Sequence, residues 1–451
     1  MSALAILRQL YARIYSADND GSRDSTQELI ERLAVSTITI NPRDFITPPF
    51  WPCPNCGRQA YGVLMIRGCA YRRRCRECWH SEEYRLPPIK KKIIYLDQFV
   101  VSNIMKLRTP ALKAHDAVAS EPFWAELATM LEKLRCLQLI CCPDSREHQN
   151  ESLTSRFYQD LKKTYESFSG GISFHGCDEI RQQQIAHLAR AWANGNEPVF
   201  DFNPQEIVYG DLHGWNDRIY VVTNLNYGQW VDDLRKQRES AHTGITDIFN
   251  RVWKAETHNF DFWYEAERSD YQKKHVLQRC VNDERARTEM MLGLKPLTLE
   301  AMIPSEAEVT IQAVEHALVQ ECGAESSERL ESFFRENRIK DAPFNIIASA
   351  MYASIAMKAA SGQKKPPDQG MMTDIAIVST LLPYCDAMFM DSRCRAILVD
   401  VPQSHQQFDS TKVYSPKRKG DFLNYLKEIE AAATPEHLAL VAEIYGGISK
   451  S

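Results

Sequence analysis

Five acidic residues occupy positions from which distant segments of a chain can bring their side chains together. They are Asp97, Glu151, Asp374, Asp386 and Asp391. Carboxylate oxygens are hard ligands that suit Mg²⁺ or Mn²⁺ better than Zn²⁺, and clustered carboxylates repel one another unless cations neutralise them. Two such ions about 3.5–4 Å apart activate a water and stabilise the leaving oxygen in phosphodiester hydrolysis.

Four cysteines have the spacing of a zinc site. CPNC holds Cys53 and Cys56, CREC holds Cys75 and Cys78, and eighteen residues separate the two pairs. Two Cys-x-x-Cys motifs at this distance are typical of a zinc ribbon, in which four thiolates close a tetrahedral, structural site. Cys69 and His80 are spare candidate ligands without a spaced partner. Three arginines, Arg72, Arg73 and Arg74, crowd the second pair and predict either contact with a phosphate backbone or solvated surface.

The elements that must position the acids are short apolar strands that alternate with helices. Strands are predicted at Ile93–Leu96, Cys136–Pro143 and between Asp386 and Asp391, with further strands in ILVDVP and TKVYSP. Strand and helix in alternation indicate a parallel α/β sheet, and ligands of such sheets lie beyond the carboxyl ends of the strands.

Two acids come directly after these strands, and two lie on helices. Asp97 follows the first strand and Asp391 the third, whereas Glu151 lies on the helix after the second strand and Asp374 opens a helical run. An isolated Asp at such a position is most often a helix cap or a turn residue. Four arriving at one edge would make a metal-binding cluster. The pattern leaves open whether Asp386 or Asp391 completes it.

The length of 451 residues predicts several domains. We expect an N-terminal helical segment over 1–45, a zinc ribbon over 46–86, an α/β domain over 90–415 with a helical insertion at about 160–340, and a helical tail over 416–451. No internal repeat stands out.

The composition excludes several classes. A formal net charge of −5 argues against a generally basic nucleic-acid coat, and no apolar run has the roughly 18 residues that a membrane span needs. Thirteen dilute cysteines, four of them at metal spacing, favour a reducing cytoplasm over a disulfide-rich secreted chain.

One alternative motif lies in the helical part. GDLHG, from Gly210 to Gly214, is similar to the opening motif of the metallophosphoesterases, whose Asp and His bind a metal pair. The later motifs of that family are absent, so a turn is the default for this segment. A GxSxG nucleophile motif is absent as well.

The acidic segments resemble the PIN-like nucleases. The resemblance rests on IIYLDQFVVS, PDSREHQNES, TDIAIVSTLLPYCDAMFMD and TKVYSP, and covers about residues 90–160 and 340–415. It implies a three-layer α/β/α fold and a metal-dependent ribonuclease, often a toxin or defence effector. By position, Asp97, Glu151, Asp374 and Asp391 are similar to the four family acids. The long helical insertion and the ribbon depart from the family pattern.

The leading hypothesis is therefore a Mg²⁺- or Mn²⁺-dependent endoribonuclease with a structural zinc ribbon that positions RNA or a protein. A DNA nuclease with the same acids and a non-catalytic zinc-ribbon adaptor are the alternatives. If the activity is toxic, a restraining protein partner is expected. No membrane partner is expected.

Overall fold

The computed structural model describes residues 41–153, 155–217, 243–296, 303–368, 370–406 and 410–446. Most of the helical segment predicted over 1–45 lies outside these residues. The described chain divides into two compact units: 41–64 with Arg74–His80, and Met65–Arg73 with the chain from Ser81 onward. No described helix combines the length and the apolar character needed to cross a membrane.

The strands and helices are numbered here in chain order. The strands are β1 Thr47–Pro52, β2 Gln59–Arg67, β3 Ala70–Cys75, β4 Ser81–Arg85, β5 Lys92–Leu96, β6 Ile140–Cys141, β7 Ser173–Phe174, β8 Val208–Tyr209, β9 Ala387–Phe389 and β10 Lys412–Tyr414. The α-helices are α1 Gln98–Leu107, α2 His115–Ala119, α3 Pro122–Cys136, α4 Arg146–Leu153, α5 Tyr158–Ser169, α6 Cys177–Ala193, α7 Phe260–Asp270, α8 Gln278–Met291, α9 Glu306–Cys322, α10 Ser326–Arg335, α11 Pro343–Ala360, α12 Met371–Leu381, α13 Ser392–Val399, α14 Lys419–Ala431 and α15 Pro435–Tyr445.

The predicted parallel sheet is present and has four strands in the order β10–β9–β5–β6. All three pairings are parallel, and Leu96 at the end of β5 lies opposite Phe389 at the end of β9. β5 comes first of these four strands in the chain. It pairs with the next strand in the chain, β6, on one side and with the later strand β9 on the other. The order reverses between β5 and β9, and a crevice for ligands forms at such a switch point.

Helices cover both faces of this sheet, because its strands are apolar on both sides. Ile93 and Tyr95 belong to one apolar core with α11 and α12. Ile94 and Leu96 belong to a second core with α1, α3 and α14. Near-continuous apolar runs are typical of parallel strands that are buried on both faces.

Two strand predictions are corrected. The run Cys136–Pro143 forms only β6, because α3 continues to Cys136 and residues 137–139 make the turn. ILVDVP is not a strand: α13 runs from Ser392 to Val399 through its first three residues. The prediction from TKVYSP is confirmed by β10.

The segment predicted as a helical insertion is mostly helical where it is described, but it also contains the short antiparallel pair β7 and β8. Helices α6, α9 and α10 form a third apolar core around Ile185, Leu318 and Phe333. The C-terminal segment is part of the sheet domain rather than a free tail, because Phe422 and Leu426 of α14 are fully buried in the core that includes Phe389.

Candidate acidic site and cysteine cluster

Asp97 and Asp391 lie side by side at the carboxyl edge of the sheet. The backbone N–H of Asp97 donates to Phe389 O at 3.0 Å, and the N–H of Asp391 donates to Asp97 Oδ2 at 3.3 Å. Both residues are also helix N-caps: Asp97 accepts from Phe99 N–H at the start of α1, and Asp391 accepts from Cys394 N–H at the start of α13. Each is therefore a cap and a member of a cluster at the same time.

Asp374 and Glu151 approach the same edge from two helices. Asp374 lies in the first turn of α12 and Glu151 in the second turn of α4. The charge of Glu151 raises the pKa of Asp97, and the charges of Asp97, Asp391 and Glu151 raise the pKa of Asp374. Four separate segments of the chain therefore deliver four carboxylates to one place, and all four are partly accessible to solvent.

The electrostatics of the cluster favour protonation. Burial, followed by the charges of Glu151 and Asp391, raises the pKa of Asp97 to about 7, although N–H donors oppose the shift. Burial, followed by the charges of Asp97, Asp391 and Glu151, raises the pKa of Asp374 to about 9. Desolvation and like charges both disfavour the ionised form. A bound cation would reverse this balance.

Asp386 does not join this cluster. It comes before β9, at the opposite edge of the sheet, where its carboxylate accepts from Lys92 Nζ at 2.6 Å and from Ile93 N–H at 2.9 Å. The structure thus brings Asp391, and not Asp386, to Asp97.

The donor chemistry of the acidic cluster fits a hard divalent cation. The distances do not close a cage around one point, because in the described chain only the four ribbon cysteines bring three or more His, Cys, Asp or Glu ligand atoms all within 4.8 Å of one another. Clusters that hold two ions spread their ligands wider than a single-ion cage. Asp97, Glu151, Asp374 and Asp391 are the residues that would hold the metal.

Three polar residues that border the acids were not predicted. Gln98, the first residue of α1, lies against Glu151 and donates to Oε1 at 2.7 Å when its amide nitrogen faces the carboxylate. Asp368 adds a fifth charge near Asp374 and forms an ion pair with Arg393. Asp368 lies in a Pro- and Lys-rich loop, and the only sequence signal for it is its position three residues after a Lys-Lys pair and just before the helix.

A buried polar layer lies beneath the acids. His148 Nε2 and Tyr95 Oη are 3.0 Å apart, and the His148 ring stacks between Tyr95 and Tyr165. Burial lowers the pKa of His148 to about 3, so the ring is neutral. Within the described chain, His148 Nδ1, Ser152 Oγ and Tyr165 Oη have no hydrogen-bond partner.

The four ribbon cysteines form a group of tetrahedral dimensions. Cys53 and Cys78 Sγ atoms are 3.5 Å apart, and Cys56 and Cys75 Sγ atoms are 3.7 Å apart. With Zn–S bonds of about 2.3 Å, sulfurs at the vertices of a tetrahedron lie about 3.8 Å apart. The group can therefore hold a metal such as zinc, as the spacing predicted. Cys69 and His80 are not members of it.

Hydrogen-bond donors favour the thiolate form of one cysteine in the group. The backbone N–H of His80 and the Asn55 side chain donate to Cys78 Sγ and hold the pKa of this thiol at about 6. Glu77 N–H likewise donates to Cys75 Sγ at 3.4 Å. Donors around the sulfurs orient the ligands and stabilise their negative charge.

Next to the cysteine group, the ribbon carries a cationic aromatic surface. Trp79 is 39% exposed and has a positive φ of 61°, which is uncommon for a bulky residue. The Arg74 guanidinium lies 4.6 Å and that of Arg43 5.8 Å from its ring centroid. Neither arginine forms an ion pair with a carboxylate of the described residues.

The GDLHG segment forms a turn around a buried lysine. Lys91 Nζ donates to Gly214 O and to Asn216 Oδ1, both at 2.7 Å, and Lys91 N–H donates to His213 Nδ1 at 3.3 Å. Gly214 N–H donates to Asp211 O within the turn. The histidine of this motif therefore has a structural partner.

Comparison with known protein families, curated proteins and solved structures finds no match to this chain.

Proposed function

We propose that this chain is a metal-dependent nuclease with a PIN-like, three-layer α/β/α core, and that RNA is its substrate. The observation that carries the proposal is the meeting of Asp97, Glu151, Asp374 and Asp391 at the switch point of the sheet. Partly buried carboxylates are costly in a fold when neighbouring charges raise the pKa, as they do for Asp97 and Asp374. Their retention from four segments is explained if Mg²⁺ or Mn²⁺ binds there.

The chemistry is hydrolysis of a phosphodiester bond by water, without a covalent intermediate. When bound, divalent ions supply an activated water and neutralise charge on the leaving oxygen. The chain's own carboxylates hold and orient the ions, and Gln98 fixes the Glu151 carboxylate. The Asp391 N–H fixes that of Asp97. The neutral, hydrogen-bonded His148–Tyr95 pair packs beneath the acids and supports them.

The ribbon supports RNA as the substrate. An exposed indole flanked by two guanidinium groups suits stacking of a single-stranded base, with the cations near the phosphates. We assign this role to Trp79, Arg43 and Arg74, with zinc at the cysteine group holding the ribbon in shape. The cysteine distribution favours a reducing cytoplasm as the compartment. If the nuclease is a toxin or a defence effector, a restraining protein partner follows from that role.

The deciding experiment incubates purified protein and Mn²⁺ with end-labelled RNA and with single- and double-stranded DNA of the same sequence. Asp97→Asn and Asp374→Asn are assayed beside it. Cleavage of RNA by the wild type alone supports the proposal, whereas cleavage of DNA alone assigns a DNA nuclease. If wild type and variants leave all substrates equally intact while RNA binding persists, the protein is an adaptor and the nuclease proposal fails.

A further inference from the structure

A second candidate site lies between the helical segment and helices α11 and α12. It is a cavity of about 370 Å³, a volume within the range of small-molecule sites. Aromatic rings make much of its wall: Trp253, Trp263, Tyr271, Phe344 and Tyr352. Such a wall suits a planar aromatic ligand.

Two irregular helical segments contribute to this wall, beside α7 and α11. Phe249–Trp253 and Tyr271–Leu277 are π-helical, and in the described chain both π-helical segments contribute residues to the same cavity. π-helical turns are rare and are found most often at functional sites. Two such segments at one cavity are a feature of the backbone, separate from the volume and the aromatic lining of the cavity.

The cavity also contains polar groups with bonding capacity to spare. Arg181 is mostly buried, with its side chain 17% exposed. It donates to Thr380 Oγ1 at 3.2 Å and to Ala376 O at 3.3 Å, and its Nη1 lies 3.8 Å from Glu306, beyond hydrogen-bond distance. Glu267 is desolvated, which raises the pKa of its carboxyl group. Trp263 Nε1 has no partner among the described residues. A purely apolar ligand would leave Trp263 Nε1 buried and unpaired, whereas a ligand with a hydrogen-bond acceptor would satisfy it.

A cationic cleft adjoins the cavity. It measures about 790 Å³ and shares Arg181, Tyr271, Lys274 and His275 with the cavity, while Arg279 adds a further cation. The first turn of α9 completes it. The N–H groups of this turn carry partial positive charge, but the turn also carries the carboxylates of Glu306 and Glu308, and Glu306 lines the cleft.

Carboxylates neutralise these cations in the present structure. Lys274 pairs with Asp270, and Arg279 pairs with Asp283 at 3.0 Å. Both pairs are exposed, and exposed ion pairs contribute little. A phosphate offers three oxygens to several cations at once. It can therefore replace Asp270 and Asp283 as the partner of Lys274 and Arg279.

We propose that the cavity and its cleft bind a free nucleoside phosphate. The base lies among Trp253, Trp263 and Tyr271, and Glu267 accepts from its amino group or from a ribose hydroxyl. The phosphates lie against Arg181, Lys274 and Arg279. This site does not depend on the nuclease activity proposed above.

The test is calorimetric titration of the full chain with ATP, GTP, AMP, adenosine and inorganic phosphate, without added divalent cation. That condition keeps the acidic cluster from holding a nucleotide through metal. At least one nucleotide is expected to bind with one-to-one stoichiometry, more tightly than adenosine or phosphate alone. Asp374→Asn is expected to bind it equally well, which separates this site from the nuclease site.

Variants of the exposed cations locate the binding. Lys274→Ala and Arg279→Ala are each expected to weaken nucleotide binding about five- to tenfold without changing adenosine binding or the melting temperature. Arg335→Ala is the matched control, because this arginine is 68% exposed, pairs within its own helix and lies outside the cleft.

The proposal is overturned if no nucleotide binds at about 1 mM, or if both cleft variants bind as tightly as the wild type. A 5′-phosphorylated RNA oligonucleotide is titrated in parallel. If the oligonucleotide binds and loses affinity in the cleft variants while free nucleotides do not bind, the site holds an RNA end and the free-nucleotide assignment is wrong.

Discussion

The backbone N–H of Asp391 donates a hydrogen bond to the carboxylate of Asp97, across a separation of 294 residues in the chain. The two residues meet because β5 and β9 pair in parallel and end together at Leu96 and Phe389. The backbone of Asp391 thus holds the Asp97 carboxylate in place. The two strand ends therefore form one rigid base for the cluster.

Asp391 and Asp386 give a matched pair of variants. Asp391→Asn keeps the helix cap, because Asn caps as well as Asp, but removes a charged ligand, so nuclease activity should fall about 10²–10³-fold. Asp386→Asn leaves one acceptor oxygen for the two donors Lys92 Nζ and Ile93 N–H, away from the acidic cluster, and should keep activity within about threefold of wild type. Single-turnover cleavage rates with saturating Mn²⁺ measure both. Equal losses in the two variants would contradict the assignment of Asp391.

The acids also predict how metal-free stability depends on pH. The pKa of Asp374 is raised in the fold from 3.8 to about 9, so its folded state keeps a proton that the unfolded state releases. Below the pKa of the unfolded state, the proton contributes its full share to the free energy of unfolding. This contribution is lost as the pH rises through the pKa of the folded state. Between about pH 6 and 9 the melting temperature of the wild type should fall relative to that of Asp374→Asn.

Mn²⁺ supplies the control for this pH effect. It should raise the melting temperature of the wild type by at least about 2 °C at the alkaline end of the range and much less at the acidic end, where protons compete with it. Asp374→Asn should show little response to Mn²⁺. A wild-type melting temperature that runs parallel to that of the variant and ignores Mn²⁺ would show that the acids do not form a cation site.

The buried layer beneath the acids is tested by two tyrosine variants. Tyr95→Phe removes the hydroxyl that bonds His148 Nε2 and leaves the imidazole with both nitrogens unpaired, at a cost of about 1–3 kcal/mol in the free energy of unfolding. Tyr165→Phe removes a hydroxyl with no partner among the described residues and should change stability by less than about 0.5 kcal/mol. Urea unfolding measures both. The reverse order would show that the hydroxyl pairing has been misassigned.

Metal analysis tests the cysteine group. The purified chain should contain about one zinc, and Cys53→Ser should lose it and expose the ribbon to proteolysis. Cys69→Ser, outside the group, should retain the metal in full. Unchanged zinc in Cys53→Ser would rule out the four-thiolate site.

Trp79 is tested by RNA binding in the Asp374→Asn background, where the substrate stays intact. Trp79→Ala should weaken binding of a single-stranded oligonucleotide about tenfold, as expected for the loss of one stacked base. Phe262→Ala removes an aromatic side chain that is 47% exposed on α7 and should leave affinity unchanged. Equal affinity of Trp79→Ala and wild type would remove the ribbon surface from the proposal.

Sequence patterns were sufficient for the strand that ends at Leu96 and for the parallel sheet, because a short apolar run followed by an acid is a local signal. They could not separate Asp386 from Asp391, since an acid before a strand and one after it look alike until the pairing partner and its direction are known. The parallel pairing of β9 with β5 decides this, because it places Asp386 beside Lys92 at the start of β5 and Asp391 beside Asp97 at its end.

Other features depend on contacts that are not encoded locally. Ile397 and its apolar neighbours have strand propensity, but Asp391 caps a helix that continues through them, and tertiary context overrides such propensity. Gln98 gains its significance only when α4 brings Glu151 to it. The cavity likewise depends on rings from segments far apart in the chain.

Helix α12 connects the two candidate sites mechanically. Met372, Ile375 and Ala376 line the aromatic cavity, and Asp374 stands between them in the same turn. Because these residues share one helical turn, we expect a ligand that shifts this turn to shift the Asp374 carboxylate as well. Metal–ligand distances vary by only about 0.2 Å. We therefore expect small movements of this turn to change how tightly a metal binds.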